Sequence, residues 1–379
     1  MRSPRLLFPL MTALLATQAL AQTSGGPYKI VQTAQLMGTG GIDYVCADSA
    51  NRFLYVPRGN SVLTFNLDTL EAATPIPGLA GGHGVAVDPV SNHAFSSSMP
   101  ILMWDAKTLQ PIKTITPQGR PDGILYEPFT ERIYVLSHSP PNITVIDGTD
   151  GSIVGTIDLG GAPEQAQSDG QGHVYVDLED KDAVAVVDAK ALKMTGTYSL
   201  NGKGGGPGGL GLDAKNQILF AFCHRPATAV ILSATDGTVL DTLPIGNGVD
   251  GGGFNPATME AFSSQGDGTL TIIKESSPTS FAVEQTVTTM PRAKTCTLDS
   301  KNNHIIVIAT ERPAPSPGAS PVTAASSPVA APSAAASPEP ATPAPGERGE
   351  YGGGPGGPGG RRGGFYRGPA MLHILVVGQ

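Results

Sequence analysis

The chain has 379 residues, a formal net charge of −8 and only 15% charged side chains, with 49 Gly and 34 Pro. Such a composition, without the Ala, Glu, Lys and Leu pattern at 3.6-residue spacing, argues against a helical protein and for many short strands and turns. An acidic balance is also a poor match for a general binder of phosphate backbones.

In chain order, Arg2 and Arg5 precede an apolar run from Leu6 to Leu20, and Ala19-Leu20-Ala21 ends it in the small-x-small pattern of a signal-peptidase site. This predicts a secretory signal over 1–21, cleaved near Ala21, rather than a membrane anchor, for which the run is short and interrupted by Pro9. No Cys follows the cleavage point to carry a lipid, and no later segment is apolar enough to span a bilayer, so the mature chain is expected to be soluble, periplasmic or secreted. Loss of the leader leaves 22 basic against 32 acidic residues, a net charge of about −10.

A period of about 40 residues then runs through the chain, the signature of a repeat architecture. Its marker is an acidic or amide residue closing an apolar strand: Asp48, Asp88, Glu127, Asp169, Asp213, Asn255 and Asp299. After each come a turn and two β-rich segments, such as Arg132-Ile133-Tyr134-Val135 and Asn142-Ile143-Thr144-Val145-Ile146-Asp147. A polar turn, here Asp147-Gly148-Thr149-Asp150-Gly151, leads to an outer strand, Ile153-Val154-Gly155-Thr156-Ile157. Four short strands cannot bury both faces alone, so the units must stack around an axis. The fold class is therefore all-β, a seven-bladed β-propeller of four-stranded blades.

The pattern of apolar strand, acidic end, turn, (Ile/Leu)-Tyr-Val, then Thr-Val-x-Val-Ile-Asp resembles the YVTN-repeat propellers, including YncE-like proteins. The resemblance covers nearly the whole mature chain. It implies the propeller fold and leaves function open, because members of that family do different things.

The seventh copy is split. Thr295–Leu298 and His304–Ile308 supply two strands and Met371–Val377 the third, while Tyr28–Thr33 has the character of the missing outer strand. Pairing the two ends would close blade 7 and the ring. One propeller domain is thus expected over 22–312 and 370–379. Residues 313–369, rich first in Pro, Ala and Ser and then in Gly and Arg, interrupt blade 7 and are expected to be disordered. Arg361, Arg362, Phe365, Tyr366 and Arg367 make this insertion the chain's one candidate for nucleic-acid contact. Of three cysteines, Cys46 and Cys296 fall on adjacent inner strands, where either a disulfide or two buried thiols is compatible with the pattern; Cys223 is left over.

In a propeller the loops from outer to next inner strand and from second to third strand share a face around the channel mouth. Five residues before each marker stand Asp43, His83, Asp122, Glu164, Gly208, Asp250 and Lys294, six of them titratable. The carboxylates Asp43, Asp122, Glu164 and Asp250 are candidate ligands for a hard divalent cation such as Ca²⁺, or candidate acid–base groups, and Lys294 a partner for an anion. A solvated rim is the plainer alternative. Second-strand loops add Arg58, His138, Glu179, His224 and Arg225 to the same face.

Other motifs carry less. Gly204–Gly209 precedes no helix and lacks the Lys-Ser/Thr of a phosphate loop. Neither a Gly-x-Ser-x-Gly elbow nor a Cys-x-x-Cys-His haem site is present, and Trp104 is the single Trp, so no haem or quinone cofactor is expected. The expectation is an extracytoplasmic, monomeric binding or scaffold protein taking a small molecule, envelope component or protein at the channel mouth. The alternatives are a metal-assisted hydrolase of the lactonase kind and, less compatible with the acidic body, nucleic-acid binding through the Arg-Gly insertion.

Overall fold

The computed structural model describes residues 26–312 and 368–379. The expectations for the leader over 1–21 and for the insertion as far as residue 367 lie outside the described residues; Pro369, expected in the insertion, instead begins the last strand. Among those residues no helix is long and apolar enough to cross a membrane.

The strands form seven four-stranded antiparallel sheets. Their innermost strands are Cys46–Asp48, Val85–Asp88, Pro121–Glu127, Pro163–Ser168, Pro207–Asp213, Val249–Asn255 and Thr295–Asp299. Each packs against the next, and the seventh against the first, which closes the ring expected from the repeat.

Local chemistry explains the repeat. The residue that closes each inner strand turns its side chain onto the backbone of the following turn. Asp88 accepts from the amides of Val90 and Ser91, Glu127 from Phe129 and Thr130, Asp213 from Lys215 and Asn216, and Asn255 from Ala257. A short acceptor is needed there because the turn amides have no strand partner. A second set of caps follows the third strand, where Asp105, Asp147 and Asp188 hold the turn to the outer strand.

Blades are tied together by the Tyr of the second strand. Tyr55, Tyr134 and Tyr175 are buried, and each donates its hydroxyl to a backbone carbonyl of the next blade, at Ala106, Ala189 and Ala234. One side chain thus supplies aromatic area to the interblade core and satisfies its own polar end.

Blade 7 closes as the sequence predicts. Its order is Lys29–Thr39, Pro369–Gly378, His304–Glu311, Thr295–Asp299, with register from Lys29↔Gly378 to Thr39↔Pro369. Residues of the N-terminal strand alternate between exposed and half-buried, as an outer strand with one solvated face should. Just before it, Tyr28 is clamped by Gln285 of blade 6, which accepts from its amide at 2.9 Å and donates to its carbonyl at 2.8 Å. None of the three cysteines forms a disulfide, so Cys46 and Cys296 are separate thiols, their pKa values pushed up by burial to about 12 and about 11.

Candidate functional site

The starts of the inner strands and the turns between second and third strands meet on one face. The amide of His83 donates to the Ser97 carbonyl, Arg120 to Ser139 and Glu179 to Ala162, which fixes the two kinds of loop side by side. Bulges between Pro121 and Ile124, Pro163 and Ala166, and Val249 and Gly252 break the pleat where the rim residues sit.

The side chains form a chain of contacts around the mouth. His83 Nδ1 lies 2.7 Å from Asp43 Oδ2 and 3.3 Å from Asp122 Oδ1. His138 Nε2 lies 3.1 Å from Asp122 Oδ2 and 3.3 Å from Glu164 Oε1. Tyr44 donates its hydroxyl to Glu164 Oε2 at 3.3 Å. Lys294 pairs with Asp250 and stands 4.0 Å from Asp43 Oδ1.

The electrostatics follow from crowding acids into a half-buried place. Burial holds the Glu164 carboxyl well above the usual range, and Asp122, Asp250 and Glu179 push it the same way. Burial also raises Asp250, to about 6, against the pull of the Lys294 ammonium. For His83 burial disfavours the charged ring, but the hydrogen bond to Asp43 and the fields of Asp122 and Asp43 outweigh it, so its pKa is raised. Lys294 follows the same logic: burial opposes its charge, Asp250 and Asp43 restore it, and the net shift is upward.

Not every rim candidate joins in. His138, Glu179 and His224 stand six residues beyond the start of their strands at Arg132, His173 and Ile218, whereas Arg58 stands five beyond Phe53. Because strand side chains alternate faces, that one-residue difference sends Arg58 the other way. Its buried guanidinium donates to the carbonyls of Leu36, Gly38, Gly40 and Ala370, locking blade 1 to the closing strands. Arg225 is exposed on its turn, outside the cluster. Burial lowers the pKa of His224, whose ring occupies the space a side chain at Gly208 would need; an added Cβ there would stand 2.8 Å from His224 Nε2. That accounts for the one rim position without a side chain.

The metal-compatible groups also differ from an all-carboxylate cage. Donor atoms come within 4.8 Å of one another in two sets, Asp43–His83–Asp122 and Asp122–His138–Glu164, which share Asp122. Asp250 is in neither; its carboxylate pairs with Lys294. His138 is the donor that the rim positions alone do not supply.

Beneath the cluster lies a cavity of about 280 Å³ in the channel, with Tyr44 and Glu164 in its lining and Val85, Ile124, Leu125 and Phe254 among its walls. Gln165 crosses from blade 4 to the inner strands of blades 5 and 6. Its Nε2 donates to the Gly252 carbonyl at 2.8 Å, and Oε1 accepts the amides of Leu210 and Gly252, each at 3.0 Å. Those strands approach so closely that a Cβ on Gly211 would meet the Gly253 carbonyl at 2.7 Å. Tyr44 and Gln165 both stand one residue after the rim position, but the other blades have Gly84, Gly123, Gly209, Gly251 and Thr295 there, so no repeated residue type signalled them.

No family model matches the chain, and no curated protein matches it. Among solved structures, U3-55K and the WD40 repeats of RRP9 each align with a TM-score of 0.61 at 12% identity, over 75% of this chain and 92% and 91% of their own. A likeness at that identity shows the propeller fold alone.

Proposed function

We propose that the chain is an extracytoplasmic binding propeller of the YVTN-repeat, YncE-like kind that captures a small cationic ligand at the channel mouth. The observation that carries this reading is the cluster of Asp43, Asp122, Glu164, Glu179 and Asp250 against one fixed cation, Lys294, above a cavity lined by both polar and apolar groups. A cationic head placed among these carboxyl groups would be held by charge, and a remainder with both polar and apolar atoms would suit the space below, where Gln165, Gln167 and Thr297 stand beside Val85, Ile124 and Phe254. The leader read from Arg2 to Ala21 supports the location.

The test is thermal unfolding in the presence of small organic amines and guanidines, with anions of the same size for comparison. A ligand at about 100 times its Kd adds about 2.7 kcal/mol of stability, so the expected result is a rise in Tm with cations that is lost in Asp122→Asn. Equal responses to anions, or a response that survives Asp122→Asn, would overturn it. One observation favours a second reading, the metal-assisted hydrolase: the two His–carboxylate sets joined at Asp122. It expects divalent-metal-dependent opening of lactones or esters, lost in His138→Ala. A nucleic-acid contact through the Arg-Gly insertion concerns residues outside those described.

A further inference from the structure

We propose that Asp122, His138 and Glu164 hold a divalent transition metal of the Zn²⁺ class, with Asp122 as the carboxylate that joins this site to the His83–Asp43 pair. This rests on the cation-binding reading and names the cation for one part of the cluster.

The first argument is the spacing of donor atoms. His138 Nε2 stands 3.1 Å and 3.3 Å from one oxygen of Asp122 and one of Glu164. With bonds of ~2.0–2.2 Å to each, two ligands of one ion lie roughly 2.8–3.1 Å apart in an octahedral and roughly 3.3–3.6 Å apart in a tetrahedral arrangement, so these contacts fall in the range of edges of a coordination polyhedron.

The second argument is that His138 Nε2 is buried yet makes no hydrogen bond in spite of both carboxylates being so near. A neutral imidazole presents its lone pair in the ring plane, and here that nitrogen faces two acceptors with no aligned N–H between them. An ion seated among the three atoms would use all of them at once.

The third is support from behind. Glu164 gives Oε1 to His138 and takes the Tyr44 hydroxyl on Oε2, which fixes the carboxylate in the manner of a metal ligand backed by a hydrogen bond. Asp122 likewise turns Oδ2 to His138 and Oδ1 to His83.

Donor type selects the ion. One imidazole nitrogen with two carboxylates suits Zn²⁺ or its first-row neighbours, whereas Ca²⁺ prefers six to eight oxygens and takes imidazole poorly. The site has three protein ligands from two neighbouring blades, and the channel mouth beside them leaves room for a further ligand from solution.

The test is titration of Zn²⁺ into tag-free, chelator-treated full-length protein, followed by calorimetry and by thermal unfolding. One Zn²⁺ per chain with a rise in Tm is expected. His138→Ala and Glu164→Gln should each weaken binding at least tenfold while keeping the strand-rich circular dichroism spectrum. Arg225→Ala, on the same face but outside the site, should leave it within twofold. Co²⁺ gives a second readout independent of stability, since its visible bands should shift when His138 is replaced. Zn²⁺ binding unchanged in His138→Ala, or an equal response to Ca²⁺, would overturn the site. If Zn²⁺ fails while organic cations still raise Tm, the metal site alone falls; if both fail, the cation-binding reading falls with it.

Discussion

At the scale of single residues, the least satisfied group among the described residues is Asp177. It is fully buried in the second strand of blade 4, neither carboxylate oxygen has a hydrogen-bond partner, and burial holds its pKa well above the usual range. A native state that keeps a proton the unfolded chain has lost becomes less stable as pH rises, beginning near the ordinary Asp value of ~3.9. Asp177→Val should therefore stabilise the protein by about 1–3 kcal/mol at pH 8 and by much less at pH 4.5, measured by urea unfolding at both. A gain that does not change with pH would contradict this account. Glu275 makes a related case. Its Oε2 and Asp213 Oδ2 both lack partners, while Asn216 donates to its Oε1 at 2.7 Å, and burial first and the Asp213 charge next raise its pKa to about 7. Glu275→Gln keeps the Asn216 bond and gives Asp213 a permanent donor. It should add about 1 kcal/mol above pH 7 and nothing near pH 5, again by urea unfolding. The candidate site was only partly legible in the sequence. The rim spacing located Asp43, His83, Asp122 and Glu164 because it counts along one strand. The second-strand loops named His138 but misplaced Arg58, whose orientation depends on a one-residue parity, and neither count could see that His138 bridges two blades.

At the scale of elements, the strands and turns were almost wholly legible, because their causes are local. The seven acids and amides recur because a turn's orphan amides need an acceptor at one place in each blade, and a repeat of chemistry leaves a repeat of letters. Tyr55, Tyr134 and Tyr175 recur for a cross-blade reason that is the same at these three interfaces, while Phe95, Phe220, Phe262 and Ile306 stand at the equivalent places in the other blades. Tyr134→Phe keeps the buried ring and removes only the hydroxyl bonded to Ala189 at 3.1 Å. The expected cost is about 1 kcal/mol, read as a lower urea midpoint at unchanged m-value. What the elements did not reveal is the interior of the channel. Gln165 reaches three backbone groups on two other blades, and the glycines of blades 5 and 6 let their strands approach; the position of Gln165 recurs, but its residue type changes from blade to blade, so the period does not announce its role.

At the scale of the whole molecule, the ring depends on one pairing. The strand Lys29–Thr39 covers the edge of Pro369–Gly378, and the guanidinium of Arg58 and the amide of Gln285 bind that closure to blades 1 and 6. Deleting residues 27–38 should abolish cooperative unfolding, and a truncated chain that melts like the intact one would contradict it. The split blade has a further consequence in time. Six blades are made from consecutive stretches, so each can pair its strands as soon as its own stretch is available, but the strand Lys29–Thr39 has no partner until Pro369–Gly378 is available. Its pairing has the greatest sequence separation in the fold and is therefore the step with the highest entropic cost of search. Until ring closure the edge of Pro369–Gly378 is left for other strands to find; afterwards the strand Lys29–Thr39 covers it and becomes the outer edge of blade 7.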